Sequence, residues 1–466
     1  MDQQALLSEI RQLIARDELP AALEKMRLLL GNDSRLDEAI QQSGRFFNIK
    51  REMRLGTVSH ENASLTQNQI RWGLLELAME IENKGATPLP QSLAEDIITD
   101  RTRWLQSLQR ELMQKQGVSV GNRPSDIIQH FGWLIEEFLR KMQTKEGQQN
   151  DLRAFSYMTE AWQNTLRYLC YIQLAQLLKS EEKPRNTILT DFIAMRDAAA
   201  DNTGGADREA RFDYLNLLLV STDLLKDRPG FVPQIADFVR ELTDTESELF
   251  EVALFLAQYR RQLLAGAILP DDPNLSQRLD EYRTALVFWL RRIAFLVKYR
   301  LVSIKEISLN YRLGTAQQFV HLYGELHGLY DQLSTEGEDY NLISVEGLFT
   351  YSQSVLLFKG NEIQQCLQNI GDPDTYLSLS PLLIDQSVFS EKTTQTPEVY
   401  YFTGQTPGSR QYEYAQYKNE LPLGAGAPNS NKTLRVKSEN SSQPKLNDLY
   451  EQLETVFKPF KNTQPQ

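Results

Sequence analysis

Apolar positions recur at helical spacing throughout the first 84 residues. Leu6, Leu7, Ile10 and Ile14 mark one amphipathic helix, and Ala22, Leu23, Met26, Leu29 and Leu30 mark a second. Gly31-Asn32-Asp33-Ser34 reads as a helix stop followed by a fresh N-cap. Gly56-Thr57-Val58-Ser59 repeats that arrangement, with Ser59 and Asn62 as caps for the helix "IRWGLLELAMEIE". The run "NKGATPLPQS" at 83–92 then breaks the period with one glycine and two prolines, as a linker does. From 93 to 300 helical periodicity resumes in "IIQHFGWLIEEFLRKM", "TEAWQNTLRYLCYIQLAQLL" and "YRTALVFWLRRIAFLVKY", interrupted by the polar insert "RDAAADNTGGADREAR", which predicts a loop.

Beyond residue 300 the period changes. Short runs rich in β-branched and aromatic residues, such as "LVSIKEISL", "SVLLFKG", "EVYYFTG" and "RQYEYAQY", predict strands. The last two flank "QTPGS" and predict a β-hairpin. Residues 424–444 have the composition of a flexible loop, and "LNDLYEQLETVFKPF" predicts a closing amphipathic helix. No repeat at a solenoid period is present. The expected architecture is mainly α over the N-terminal two-thirds, as a small helical bundle (1–84) and a larger helical domain (93–300), with an α+β region over 301–466.

Composition narrows the functional classes. At 466 residues, 41% hydrophobic and 24% charged, the chain has the make-up of a globular protein with more than one core. No stretch reads as a membrane span or an export signal. Cys170 and Cys366 both sit among apolar neighbours, so buried thiols in a reducing cytoplasm are expected. A net charge of -12 argues against a general grip on nucleic acid or anionic lipid, and favours protein partners.

Candidate chemistry is sparse. No two of His60, His130, His321 and His327 have the i, i+4 spacing of a helical zinc site, so no metal is expected. The absence of GxxxxGK[ST] and GxGxxG motifs argues against a nucleotide, and no cofactor is expected. Two Arg-to-His spacings, Arg54 to His60 and Arg123 to His130, match those of helical ribonucleases of the HEPN type, where His does acid/base work and Arg stabilises phosphate charge. About one such match is expected by chance in this composition. Arg123 precedes Pro124, which predicts a helix start with Arg123 just outside it. The helix pair around "ELFEVALFLAQYRRQLLAGAILPDD" also resembles a HEPN domain, but Ala265 stands where the family's His falls, which implies a degenerate copy. No catalytic residue is assigned on this pattern, with Arg123 and His130 left as candidates.

Residues 1–84 resemble the effector-associated domains of prokaryotic conflict systems, in particular the subtype numbered eleven. The likeness rests on "ALLSEIRQLIARDELPAALEKMRLLL" followed by "SGRFFNIKREMRLGTVSHENASLTQNQIRWGLLELAMEIE". The resemblance implies a small helical adaptor of death-domain-like type. One copy sits on a sensor or regulator and a like copy on an effector, a protease among the options, and the two associate. Periodicity within "RFFNIKREMR" groups Arg45, Lys50, Arg51 and Arg54 and turns Phe46 and Phe47 inward, while Glu76, Glu80 and Glu82 lie on the last helix. A domain with one basic and one acidic face can pair head to tail, including with itself. The expected function is a non-enzymatic adaptor or regulator of a bacterial antiviral defence system. The alternatives are a HEPN-type ribonuclease effector, and a C-terminal module that binds a ligand or peptide or is cleaved by a protease.

Overall fold

The computed structural model describes residues 3–15, 18–30, 36–56, 63, 66–67, 70–71, 73–75, 77–78, 81, 89–100, 103–180, 187–194, 212–310, 313–314, 318–326, 341–346, 352–360, 372, 374–389, 397–405, 411–416, 433–439 and 445–461. The chain divides into two compact units. The first joins Met1–Ile97 to Arg240–Ala267, and the second joins Ile98–Val239 to Ile268–Gln466.

In the first unit, α1 (Gln3–Ala15), α2 (Leu19–Leu30) and α3 (Leu36–Leu55) follow the apolar period of the sequence. The helical residues between 63 and 81 continue the bundle. α2 packs against both α1 and α3, and Lys25 pairs with Glu9 at 2.7 Å between the first two helices. One core contains Leu7, Ile10, Met26, Phe46, Ile70, Leu74 and Leu77. Phe250 and Leu254 complete that same core. They come from a helix of residues Glu248–Leu264, some 170 positions later in the chain by number, whose N-cap Ser247 accepts from the Phe250 backbone N–H. Gly73 lets the Gln42 side chain approach so closely that an added Cβ would lie 2.7 Å from its amide nitrogen.

The longer helices that follow are α4 (Trp104–Gln114), α5 (Pro124–Ile128), α6 (Trp133–Lys141), α7 (Leu152–Lys179), α8 (Thr187–Ala194), α9 (Tyr214–Asp223), α10 (Gln234–Thr243), α11 (the Glu248–Leu264 helix), α12 (Leu275–Arg292) and α13 (Lys445–Lys461); α11 belongs to the first unit, α10 spans the division at residue 240, and the others belong to the second. α7 is buried on almost every side. Trp162 on α7 meets Trp289 on α12 edge-on at 5.9 Å, and the Trp289 indole N–H donates to Thr165 at 2.7 Å.

The C-terminal region adds two antiparallel sheets. The first, in order β3-β2-β1-β4-β5, comprises β1 (Tyr299–Asn310), β2 (Gln318–Glu325), β3 (Asn341–Glu346), β4 (Ser354–Lys359) and β5 (Tyr376–Ser378). The second, in order β6-β7-β8-β9, comprises β6 (Leu383–Asp385), β7 (Val399–Gln405), β8 (Tyr412–Gln416) and β9 (Thr433–Val436). The expected hairpin is the β7–β8 pair, with Tyr401 opposite Ala415. β9 corrects the expected loop at 424–444 over Thr433–Val436 alone: Val436 is fully buried opposite Tyr412, so a four-residue stretch too short to give a period is held by its neighbour strand, whereas 424–432 and 440–444 lie outside the described residues. The sheets are tied by Asp385, whose carboxylate accepts from Ser303 Oγ on β1 at 2.7 Å, from Ser387 Oγ and N–H, and from the Glu398 N–H. Mainly helical structure followed by an α+β region is the architecture the sequence pattern predicts.

Candidate docking surface on the third helix

α3 carries the basic run and ends as expected. Gly56 takes a left-handed φ of 66°, and its N–H bonds to the Met53 carbonyl at 3.2 Å. Ala39, Gln42, Phe46 and Ile49 are buried along one face. The opposite stripe, Ile40, Gly44, Phe47, Arg51 and Leu55, has the i, i+4, i+7, i+11, i+15 spacing of one side of a helix. Phe47 is 61% exposed, Leu55 64% and Ile40 44%. Phe47 therefore points outward, contrary to the inward orientation predicted beside Phe46. Adjacent residues on a helix are separated by roughly 100°, so the two rings cannot share a face. They meet only edge-on, at 5.8 Å.

Lys50, Arg51 and Arg54 are exposed on or beside this stripe. Lys50 lays its ammonium over the Phe46 ring at 5.0 Å, and Arg54 Nε donates to the Lys50 carbonyl at 3.4 Å. Arg51 has no ion pair among the described residues. Arg45 is half-buried and lies roughly 120° round the helix from Arg51, so the structure brings together three of the four predicted cations. The side chains of Glu76, Glu80 and Glu82, and His60, lie outside the described residues. Cations in a last turn also complement the helix dipole, which accounts for Arg54 structurally. That does not account for the exposed Ile40, Phe47 and Leu55. Four of the eight exposed large apolar side chains among the described residues, these three and Leu28 on α2, fall within residues 1–97. The stripe was readable as a second apolar period interleaved with the first, masked by two adjacent phenylalanines.

The catalytic candidates are arranged differently from their spacing. Arg123 caps α5 from outside, as Pro124 predicts, and its guanidinium donates to Asp126 at 2.9 and 3.1 Å. That hydrogen bond holds the Asp126 carboxyl below its ordinary range. His130 is buried and faces Arg300 on β1, with Nδ1 3.3 Å from Nη2. A guanidinium only donates, so Nδ1 accepts and the proton sits on Nε2. Burial, then the Arg300 charge, push the His130 pKa down to about 4. Arg300, which no local spacing could reveal, also approaches Glu325 at 3.7 Å. His321 is likewise buried, with Nδ1 3.1 Å from the Phe319 carbonyl oxygen. In the run 259–266, Tyr259 and Arg260 are buried, Ala265 is the C-cap of α11, and Gly266 ends the helix with φ 68°. Among the described residues, no group of three or more His, Cys, Asp or Glu side chains could hold a metal ion. None of the described helices is long and apolar enough to cross a membrane. Cys170 is a buried free thiol whose pKa burial pushes up, whereas Cys366 and His327 lie outside the described residues.

The helical unit thus presents exposed apolar side chains and cations along one side of α3. Residues 5–82 match the family described as Effector-associated domain 11. No curated protein and no solved structure matches the chain.

Proposed function

We propose that this protein is a non-enzymatic adaptor or regulator of a bacterial defence system, which recruits an effector or sensor bearing a similar N-terminal domain. The match of residues 5–82 to an effector-associated domain carries the reading. The exposed face of α3 supports it, because solvent-facing Phe47 and Leu55 beside three cations have no evident role in the domain's own core. In this reading residues 1–84 are the adaptor, with Lys50, Arg51 and Arg54 on one docking face and Glu76, Glu80 and Glu82 on another. The regions 93–300 and 301–466 receive the signal or are acted upon, with a protease among the partners, in the cytoplasm.

The test is co-purification of the full chain with proteins encoded beside its gene, repeated with Arg51→Glu and Arg54→Glu. Capture of a neighbour bearing a like domain, lost in the charge reversals, is expected. Equal capture by the variants removes the charged-face mechanism. A ribonuclease reading has less behind it, since Arg123 is engaged by Asp126 and His130 is buried with a pKa too low for acid/base work near neutral pH. RNA cleavage abolished by His130→Ala would reinstate it.

A further inference from the structure

α11 reaches the first core from the middle of the chain. Residues 240–267 belong with Met1–Ile97, whereas the stretches on either side of them, up to Val239 and from Ile268, belong to the other unit. Among the described residues, seventeen of the nineteen buried side chains of that core come from residues 6–81, so the bundle has an interior of its own. α11 adds only Phe250 and Leu254, four positions apart and hence one above the other on one side of the helix. In the same first turns, the Glu248 carboxylate accepts from the Ser92 hydroxyl. Val252, Phe255, Leu256 and Tyr259, though buried, lie outside this core. The family match spans residues 5–82, so the face that Phe250 and Leu254 cover belongs to the matched region and its cover does not. Two large apolar side chains one helical turn apart, set against an apolar face, are the means by which amphipathic helices dock into the grooves of partner proteins.

We propose that α11 is a cis ligand of the N-terminal bundle: Phe250 and Leu254 fill an apolar face of residues 6–81 that also accepts a separate amphipathic helix carrying two large apolar side chains four positions apart. This face is distinct from the exposed stripe of α3, whose Ile40, Phe47 and Leu55 stay in solvent. While α11 is seated, a helix from another molecule must displace a competitor on the same chain, present at an effective concentration on the order of millimolar. The cis contact keeps the face closed, and the affinity for an outside helix is reduced by the fraction of molecules in which it is open. The proposal goes beyond the adaptor reading, since it holds whether or not α3 recruits a like domain.

The probe is a fluorescein-labelled synthetic peptide of residues 246–264, titrated with the full chain and followed by fluorescence anisotropy. The wild type is expected to bind it weakly, because its own α11 competes. Phe250→Ala combined with Leu254→Ala in the chain removes the competitor and leaves the receiving face unaltered, so the peptide should bind at least about tenfold more tightly. A peptide with the same two positions changed to alanine should bind neither chain. Glu248→Ala, which loosens the cis contact without touching the core, should tighten peptide binding about threefold. It decides the matter alone if the double variant does not fold. Peptide affinity equal for the wild type and the variants, or absent in all of them, overturns the cis ligand and makes α11 a fixed part of the core. Binding of the alanine peptide as tight as that of the unaltered one also overturns it, because the two side chains are then not what the face receives. Capture of a neighbouring protein tests the adaptor reading separately, and its failure leaves this result standing.

Discussion

Two adjacent phenylalanines separate packing from presentation. Phe46 is 3% exposed and Phe47 61%. Truncating a buried ring to alanine costs about 3–5 kcal/mol, whereas surface changes usually stay within about 0.5 kcal/mol. Urea denaturation should therefore show Phe46→Ala strongly destabilised and Phe47→Ala indistinguishable from wild type. Equal losses would place Phe47 in the core. His130 gives a prediction with a definite sign. Its pKa falls from an ordinary 6.5 to about 4 on folding, so the unfolded chain binds the extra proton first. The penalty is absent above about pH 6.5, grows as pH drops toward 4, and reaches on the order of 3 kcal/mol below that. His321 is shifted down for the same reason and adds to the acid sensitivity. Comparing His130→Gln with wild type at neutral pH and near pH 5 should show a smaller acid-induced loss in the variant. Parallel pH profiles would contradict the buried, neutral histidine.

At the level of elements, α11 has the larger structural consequence. It is buried on nearly every side, and Phe250 and Leu254 belong to the core of a domain whose sequence match ends at residue 82. Each such side chain cut to alanine costs about 2–5 kcal/mol. Phe250→Ala or Leu254→Ala should thus speed amide hydrogen exchange in α1 and α2, far away in sequence, and unchanged exchange there would show that α11 is dispensable to the bundle. Asp385 makes a comparable test between the sheets. Asp385→Ala strands the Ser387 and Glu398 N–H groups and the Ser303 hydroxyl, at about 1–3 kcal/mol for each group left unsatisfied, so a lower thermal midpoint is expected. Helices α1, α2, α3 and α13 and the β7–β8 hairpin were legible because one face of each is apolar at a regular period. The contribution of α11 to the first core was not, since an apolar period marks a buried face but identifies no partner for it. β9 was hidden by polar neighbours, and the pairing of His130 with Arg300 by its separation of 170 residues.

At the scale of the whole molecule, a chain of net charge -12 concentrates positive charge beside exposed apolar side chains on one helix of the region that matches Effector-associated domain 11. Exposed charges are screened over about 10 Å at 0.1 M salt, so a recruitment driven by α3 must weaken as salt rises. The apolar share, carried by Phe47, should persist. In the proposed role, α3 recruits a protein bearing a like domain. The most direct measurement is a calorimetric titration of the full chain with such a protein, for the wild type and for Arg51→Glu combined with Arg54→Glu. Saturable binding by the wild type, weakened at least about tenfold in the double variant, is the predicted result. No binding by the wild type, or equal affinity for both, would contradict it.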